Sequence, residues 1–252
     1  MRSCSDSMAI VLAAGKGTRM KSELPKVLVP VCGRPMVCYV LDALRAAGIS
    51  RIVVVVGYRA DLVRKELAAE SDVVFAEQVE QLGTGHAVMM CRDSLVKHQG
   101  PVVVVAGDSP LLQPRSVRTL LETCLREQAA CLLGTVDRDD PTGYGRIVRD
   151  QSGNFFGIVE EKDATQEQRA IREVNLSTYV FEARELLASL DRLSNENAQG
   201  EYYLTDCPAL LLEDGKNVNA HKVLQPCESL SINSKAELQL VEEVMGHQAA
   251  AE

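Results

Sequence analysis

The stretch A-I-V-L-A-A-G-K-G-T-R-M-K-S-E-L-P-K-V-L, from Ala9 to Leu28, decides how the chain is read. With Met8 before it, it opens as an apolar run to Leu12, the composition of a short buried strand. The run then breaks into a loop with two glycines, Gly15 and Gly17, and four cations, Lys16, Arg19, Lys21 and Lys26. Glycine lets a backbone curl against a ligand with its N–H groups turned inward. Lysine and arginine packed beside such amides suit a polyphosphate. A solvated turn after the first strand is the competing reading, and the density of cations favours the anion site.

Two phosphate motifs are excluded by single positions. A dinucleotide-binding G-x-G-x-x-G would need glycine where Met20 stands, and a G-x-x-x-x-G-K-S/T loop would not follow Lys16 with Gly17. What remains is L-x-x-G-x-G-T-R-M followed by L-P-K. This resembles the signature of nucleotidyltransferases that join a nucleoside triphosphate to a sugar 1-phosphate.

Composition bounds the alternatives. The 252 residues are 46% hydrophobic and 25% charged, an ordinary globular balance that fits one large α/β domain with a modest annex. No apolar run approaches the length of a bilayer span, and the start M-R-S-C-S-D-S-M-A lacks the apolar core of a signal peptide. The net charge of -8 disfavours nucleic acid as a partner and makes the cationic loop stand out as a small-anion site. Eight cysteines show no C-x-x-C and no His pairing, which speaks against a zinc site, and several sit within apolar stretches and read as small core residues in a reducing cytoplasm.

Outward from the loop the chain alternates strand and helix. Apolar residues at helical spacing run from Pro35 to Gly48, and R-I-V-V-V-V-G (Arg51 to Gly57) has the composition of a parallel strand covered on both faces. A helix over about 60–69 and a strand over 73–76 follow. A second glycine loop, Q-V-E-Q-L-G-T-G-H-A, then opens a helix to about Lys97. P-V-V-V-V-A (Pro101 to Ala106) ends in G-D-S-P, and a helix over about 116–127 leads to a strand over 131–136. This order predicts a doubly wound, mostly parallel α/β sheet of Rossmann-like type, whose ligands bind beyond the carboxyl ends of the strands. After Val136, short strands with turn chemistry at Ser152-Gly153-Asn154 predict a small β annex over that edge. Strand composition resumes over 173–181, then helices near 182–190 and 203–212, a strand near 218–223 and a closing helix over about 235–245. The expectation is a single domain: a nucleotide half over about 8–136, a sugar half with the annex over about 137–233, and the closing helix over 234–252.

L-A-A-G-K-G-T-R-M, L-P-K-V-L, Q-L-G-T-G-H-A, D-D-P-T-G-Y-G-R-I, G-I-V-E-E-K-D-A-T and A-Q-G-E-Y-Y-L-T-D occur in this order. Together they resemble the uridylyltransferase (pyrophosphorylase) domain of the bacterial bifunctional enzymes that make UDP-N-acetylglucosamine, over nearly the whole chain. In that family a left-handed β-helix of hexapeptide repeats carries acetyltransferase activity. No such repeat occurs in these residues, so the expectation is a chain without the second activity. The resemblance implies UTP and N-acetylglucosamine 1-phosphate as substrates, UDP-N-acetylglucosamine and pyrophosphate as products, and Mg²⁺ as cofactor. It implies no nucleic acid or membrane partner, and it specifies no oligomer.

Site roles follow from the resemblance residue by residue. Gly107 and Asp108 lie just beyond an apolar strand, where Asp108 also suits an Asx turn before Pro110. The family's Gly-Asp there binds the metal, with Asn233 as its partner. One carboxylate, one amide oxygen, waters and phosphate oxygens suit a hard, octahedral Mg²⁺. Arg19 and Lys26 serve the phosphate charge as the catalytic cations. Leu12, Ala13, Ala14, Gly15, Gln78, Gly83 and Thr84 fall to the nucleotide; Gly145, Glu160 and Asn175 fall to the sugar. His86 reads as a structural residue at a helix start. Tyr202 and Tyr203 are candidates to close the sugar pocket, although an aromatic pair there more often packs in the core. Asn175 is followed by Leu176-Ser177 where the family has Thr-Gly, which bears on sugar choice. Two other functions remain: a thymidylyl- or adenylyltransferase of the same fold acting on glucose 1-phosphate, and a silent regulatory subunit that binds nucleotide sugars. Retention of Arg19, Lys26 and Asp108 speaks against the second.

Overall fold

Runs of β-branched residues set the frame. A computed structural model describes residues 6–17, 24–230, 232 and 234–249. Their strands are β1 (Met8–Ala13), β2 (Pro30–Val31), β3 (Arg34–Pro35), β4 (Arg51–Val56), β5 (Val73–Glu77), β6 (Pro101–Ala106), β7 (Cys131–Asp137), β8 (Gly145–Arg149), β9 (Phe155–Val159), β10 (Glu173–Glu182) and β11 (Val218–His221). The helices are α1 (Met36–Ala46), α2 (Ala60–Glu66), α3 (Thr84–Met89), α4 (Arg92–Val96), α5 (Pro114–Glu127), α6 (Gln166–Arg169), α7 (Ala183–Leu190), α8 (Cys207–Glu213) and α9 (Lys235–Ala249).

One sheet runs in the order β11-β7-β10-β6-β1-β4-β5, with the β8–β9 hairpin attached to β10. β1 pairs parallel with β4 and β6, and β4 pairs parallel with β5. Because successive side chains in a strand point to opposite faces, each run feeds two cores. Ala9, Val11, Val54, Val56, Val103 and Val105 enter one, under α1 and α5. Met8, Ile10, Val53, Val55, Val102 and Val104 enter the other, under α3, α7 and α8. Burying each valine or isoleucine contributes about 1.5–3 kcal/mol, so the runs are selected for burial on both sides. α9 packs on a smaller cluster with Val31, Met36 and Leu111.

The doubly wound sheet is as expected, with five local differences. The single helix expected to about Lys97 is broken into α3 and α4 at Cys91 (φ -88°, ψ 7°), which lets Val88 and Leu95 both reach the same core. β10 runs antiparallel between β6 and β7, which alternation of strand and helix does not foretell. The helix expected near 203–212 begins as a 3-10 turn (Leu204–Asp206) before α8, and the strand expected to Val223 stops at His221. α9 continues past Met245.

Burial pushes the thiols of Cys91, Cys124 and Cys207 up to about 12, so these cysteines act as small core side chains. Among the described residues no helix is long and apolar enough to cross a membrane.

One carboxylate reinforces the strand pairing that ties the annex to the sheet. Glu173 on β10 is 7% exposed and accepts from Arg149 Nε (2.8 Å), Arg149 Nη2 (2.6 Å) and Thr135 Oγ1 (2.7 Å), which joins β7, β8 and β10. Burial alone would raise its pKa; the bonds from Arg149 and Thr135 outweigh that and hold it below the usual value. A depressed folded-state pKa contributes stability above the unfolded value, about 4.3, and loses it as pH falls through the folded value. Glu173→Gln should therefore lower stability at pH 7 by on the order of 1–3 kcal/mol, since Arg149 is left partly unpaired but partly solvated. Urea denaturation should show the gap narrowing near pH 3; an equal gap at both pH values would deny the carboxylate this role.

Candidate active site

The carboxyl ends of β1, β4, β5 and β6 meet at one edge of the sheet, and the polar loops leave from there. Leu12 pairs with Ala106 across β1 and β6, and Gly107 N–H donates to Leu12 O at 2.9 Å. Asp108 thereby stands beside the loop that follows Ala13. Lys26 Nζ lies 2.6 Å from Asp108 Oδ2, with their side chains 16% and 29% exposed. Gly17 makes room for that lysine. At φ +63° it suits glycine, and a Cβ there would come 2.6 Å from Lys26 Cβ.

Three adjoining cavities share Asp108 and Ser177. The first, about 310 Å³, is lined by Leu12, Ala14, Gly15, Gln78, Gly83 and Thr84, with Lys26 at its mouth. Gln78 is 3% exposed rather than an exposed loop residue. Its Nε2 donates to Gly83 O at 3.0 Å and lies 3.1 Å from His86 Nδ1. Gly83 sits at φ +109° against the backbone of Tyr202, where a Cβ would come 2.5 Å from Tyr202 O. Leu204 N–H donates to Thr84 Oγ1 at 3.1 Å, and Gly85 N–H to Tyr202 O at 2.8 Å. The second glycine loop is thus clamped to residues 201–204.

The other two cavities, about 200 Å³ and 690 Å³, lie on the annex side and share Gly143, Tyr144, Glu160, Ser229 and Leu230. Gly145 and Asn175 line the smaller. Thr205 Oγ1 donates to Glu160 Oε1 at 2.9 Å. Burial raises the pKa of Glu160, the Thr205 bond opposes this, and Asp163 and Glu201 add to the rise. Asp206 beside them is pushed up to about 6 by burial, then by Glu160 and Asp163. Asn175 Nδ2 donates to Tyr179 Oη at 2.6 Å, and Ser177 N–H donates to Asn175 Oδ1 at 3.2 Å. The pairing of β10 with β7 breaks between Asn175 and Tyr179, and Ser177 takes φ +53° there, in the left-handed region. Leu176 packs on the core while lining the small cavity.

Most expected site residues converge, and two do not line the cavities. Ala13 is 1% exposed and its side chain belongs to the core under α1. Gly107 serves close packing: a Cβ there would meet Leu12 O at 3.0 Å and Val27 Cγ1 at 3.2 Å. Arg19 and Asn233 lie outside the described residues. Ser177, Glu201 and Thr205 are additions. The signal for the last two lay in A-Q-G-E-Y-Y-L-T-D, whose polar residues had no assigned roles. Tyr203 both packs and lines: it is 6% exposed, donates to Asp163 Oδ2 at 3.2 Å and borders the largest of the three cavities. Another cavity, about 570 Å³, lies at the opposite end of the sheet near Pro101, Cys124 and Phe181, far from these groups.

The donor set can be tested against a metal. Among the described residues no three His, Cys, Asp or Glu side chains gather in a metal-binding group. Asp108 is a single hard carboxylate oxygen donor where the cavities meet. That chemistry fits Mg²⁺, which binds through one or two carboxylates and substrate phosphates rather than a full protein cage.

The chain can now be set beside known proteins. It is 47% identical over 233 residues to the bifunctional protein GlmU of Geobacter metallireducens, covering 92% of this chain and 49% of that one. It is 48% identical over 237 residues to the GlmU of Heliobacterium modesticaldum, covering 94% of this chain and 51% of the relative. The chain therefore spans about half the length of the curated relatives it matches. A crystal structure of a candidate glucose-1-phosphate thymidylyltransferase from Bacillus anthracis superposes with a TM-score of 0.76 at 19% identity, covering 94% of each chain, which bears on the fold alone. Residues 9–204 match the model of the MobA-like NTP transferase domain, and the chain belongs to that family.

Proposed function

We propose that this site transfers a uridylyl group from UTP to N-acetylglucosamine 1-phosphate, giving UDP-N-acetylglucosamine and pyrophosphate. The observation that carries the reading is the meeting of a small-residue cavity and a polar, annex-side cavity at Lys26 and Asp108. A phosphoryl-linked pair of ligands needs that layout: a base on one side, a sugar on the other, and charge neutralisation between. The similarity to proteins named GlmU agrees with it.

The reaction asks for positioning more than covalent protein chemistry. Ala14, Gly15 and Gly83 admit the base, Gln78 is held rigidly beside it, and Glu160 and Asn175 offer an acceptor and an amide to the sugar. A phosphate oxygen of the sugar phosphate attacks the α-phosphorus of UTP in line; the new P–O bond forms as the bond to pyrophosphate breaks. Lys26, with Arg19 from the glycine loop, meets the negative charge on the phosphates. Asp108 and Asn233 would hold Mg²⁺, which supplies further neutralisation of phosphate charge. The buried free thiols are consistent with work in the reducing cytoplasm. A thymidylyltransferase reading rests on fold likeness alone, and nothing in the site favours it.

Two measurements test the reading. Pyrophosphate release with purified protein and a panel of nucleoside triphosphates and sugar 1-phosphates should be greatest with UTP and N-acetylglucosamine 1-phosphate. In that assay Asp108→Ala should lower kcat at least about 10²-fold at saturating magnesium, the scale of losing one key electrostatic contact. Near-wild-type turnover would remove Asp108 from the mechanism. Sugar choice is the second. With Leu176-Ser177 forming the wall next to Asn175, kcat/KM for the acetamido sugar should exceed that for glucose 1-phosphate by roughly ten-fold or more. Equal or better use of glucose 1-phosphate would mean that this wall selects a different substrate.

A further inference from the structure

Glu161 does not line the cavities, yet it joins the two walls of the sugar side. It follows Glu160 directly, and its Oε2 accepts from Gly143 N–H at 3.0 Å and from Arg146 Nη2 at 2.7 Å. Arg146 is 1% exposed, donates also to the carbonyl oxygens of Tyr144 and Arg169, and comes from β8, the strand that begins at Gly145. Arg169 Nε reaches the other Glu161 oxygen at 3.5 Å, and its Nη2 donates to Glu161 O at 3.4 Å. The Gly143 amide, then Arg146, hold the Glu161 carboxyl below its usual pKa, so it stays ionised as an acceptor.

The consequence is geometric. Gly143, Tyr144 and Glu160 all line the sugar-side cavities. Segment 142–145 and Glu160 come together at Gly145, where a Cβ would lie in van der Waals contact with Glu160 Oε1, at 3.7 Å. Resting on the function proposed above, we infer that Glu161, fastened by Arg146, is a positioning residue that sets the distance from the 142–145 wall to Glu160 and so the fit of the sugar phosphate. The nucleotide cavity shares none of these bonds. Loosening the strap should therefore act on one substrate only.

Steady-state kinetics of the full chain with UTP and N-acetylglucosamine 1-phosphate test this, alongside thermal denaturation. Glu161→Ala should raise KM for the sugar phosphate about ten-fold and leave KM for UTP and kcat within about three-fold, the pattern of lost ground-state positioning. Glu161→Gln keeps an acceptor oxygen for the Gly143 amide and should recover most of that loss. Hydrogen exchange should show the Gly143 amide losing protection in Glu161→Ala and regaining it in Glu161→Gln. If the wild type does not turn over this substrate pair, the functional reading falls and the inference with it. If the wild type is active but Glu161→Ala leaves both KM values unchanged, or raises both equally with a lower Tm, the inference alone is overturned.

Discussion

The pairing of β1 with β6 fixes the chemistry of this molecule, because it decides which residues stand next to the glycine loop. Leu12 faces Ala106, Gly107 N–H closes on Leu12 O, and Asp108 emerges beside the loop. The strands are held in that register by residues buried in two cores, and a slip by one residue would send each set to the wrong face. Gly107 approaches without crowding, whereas a Cβ there would press on Leu12 O at 3.0 Å and Val27 Cγ1 at 3.2 Å. Lys26 then meets Asp108 where the cavity lined by Leu12, Gly15 and Gln78 joins the annex-side ones. That cation and carboxylate at the junction of the cavities are what the proposed holding of phosphates between two substrates rests on.

β10 divides the labour. It enters antiparallel between β6 and β7, carries the β8–β9 hairpin on one end, and breaks register between Asn175 and Tyr179. The break brings Ser177 to the point shared by all three cavities, in a conformation that few residues other than glycine adopt freely. On the annex side, two half-buried carboxyls have raised pKa values. Burial lifts Glu160, and burial with Glu160 and Asp163 lifts Asp206 to about 6.

Much of this was legible in the sequence. The valine runs declared parallel strands buried on both faces, and the positions of Gly15, Gln78 and Asp108 just after strand runs placed them at one edge, with Lys26 in the loop that follows the first. The two absences are instructive. Ala13 is the last residue of β1, and alternation turned its side chain into the core rather than the cavity. Gly107 lacks any side chain, so a resemblance that marks the position does not distinguish packing from contact. Ser177, Glu201 and Glu161 were less legible because their importance depends on long-range partners. The insertion of β10, the bulge and the Gly143–Glu161 bond join segments far apart in the chain, and no local pattern encodes them.

A crystal structure of the protein with UDP-N-acetylglucosamine and Mg²⁺ tests the central claim most directly. The uracil is expected among Ala14, Gln78 and Gly83, the diphosphate beside Lys26 and Asp108, and the acetamido sugar between Gly145, Glu160 and Asn175. A sugar bound on the Gln78 side, or a nucleotide bound in the cavity near Cys124 and Phe181, would contradict it.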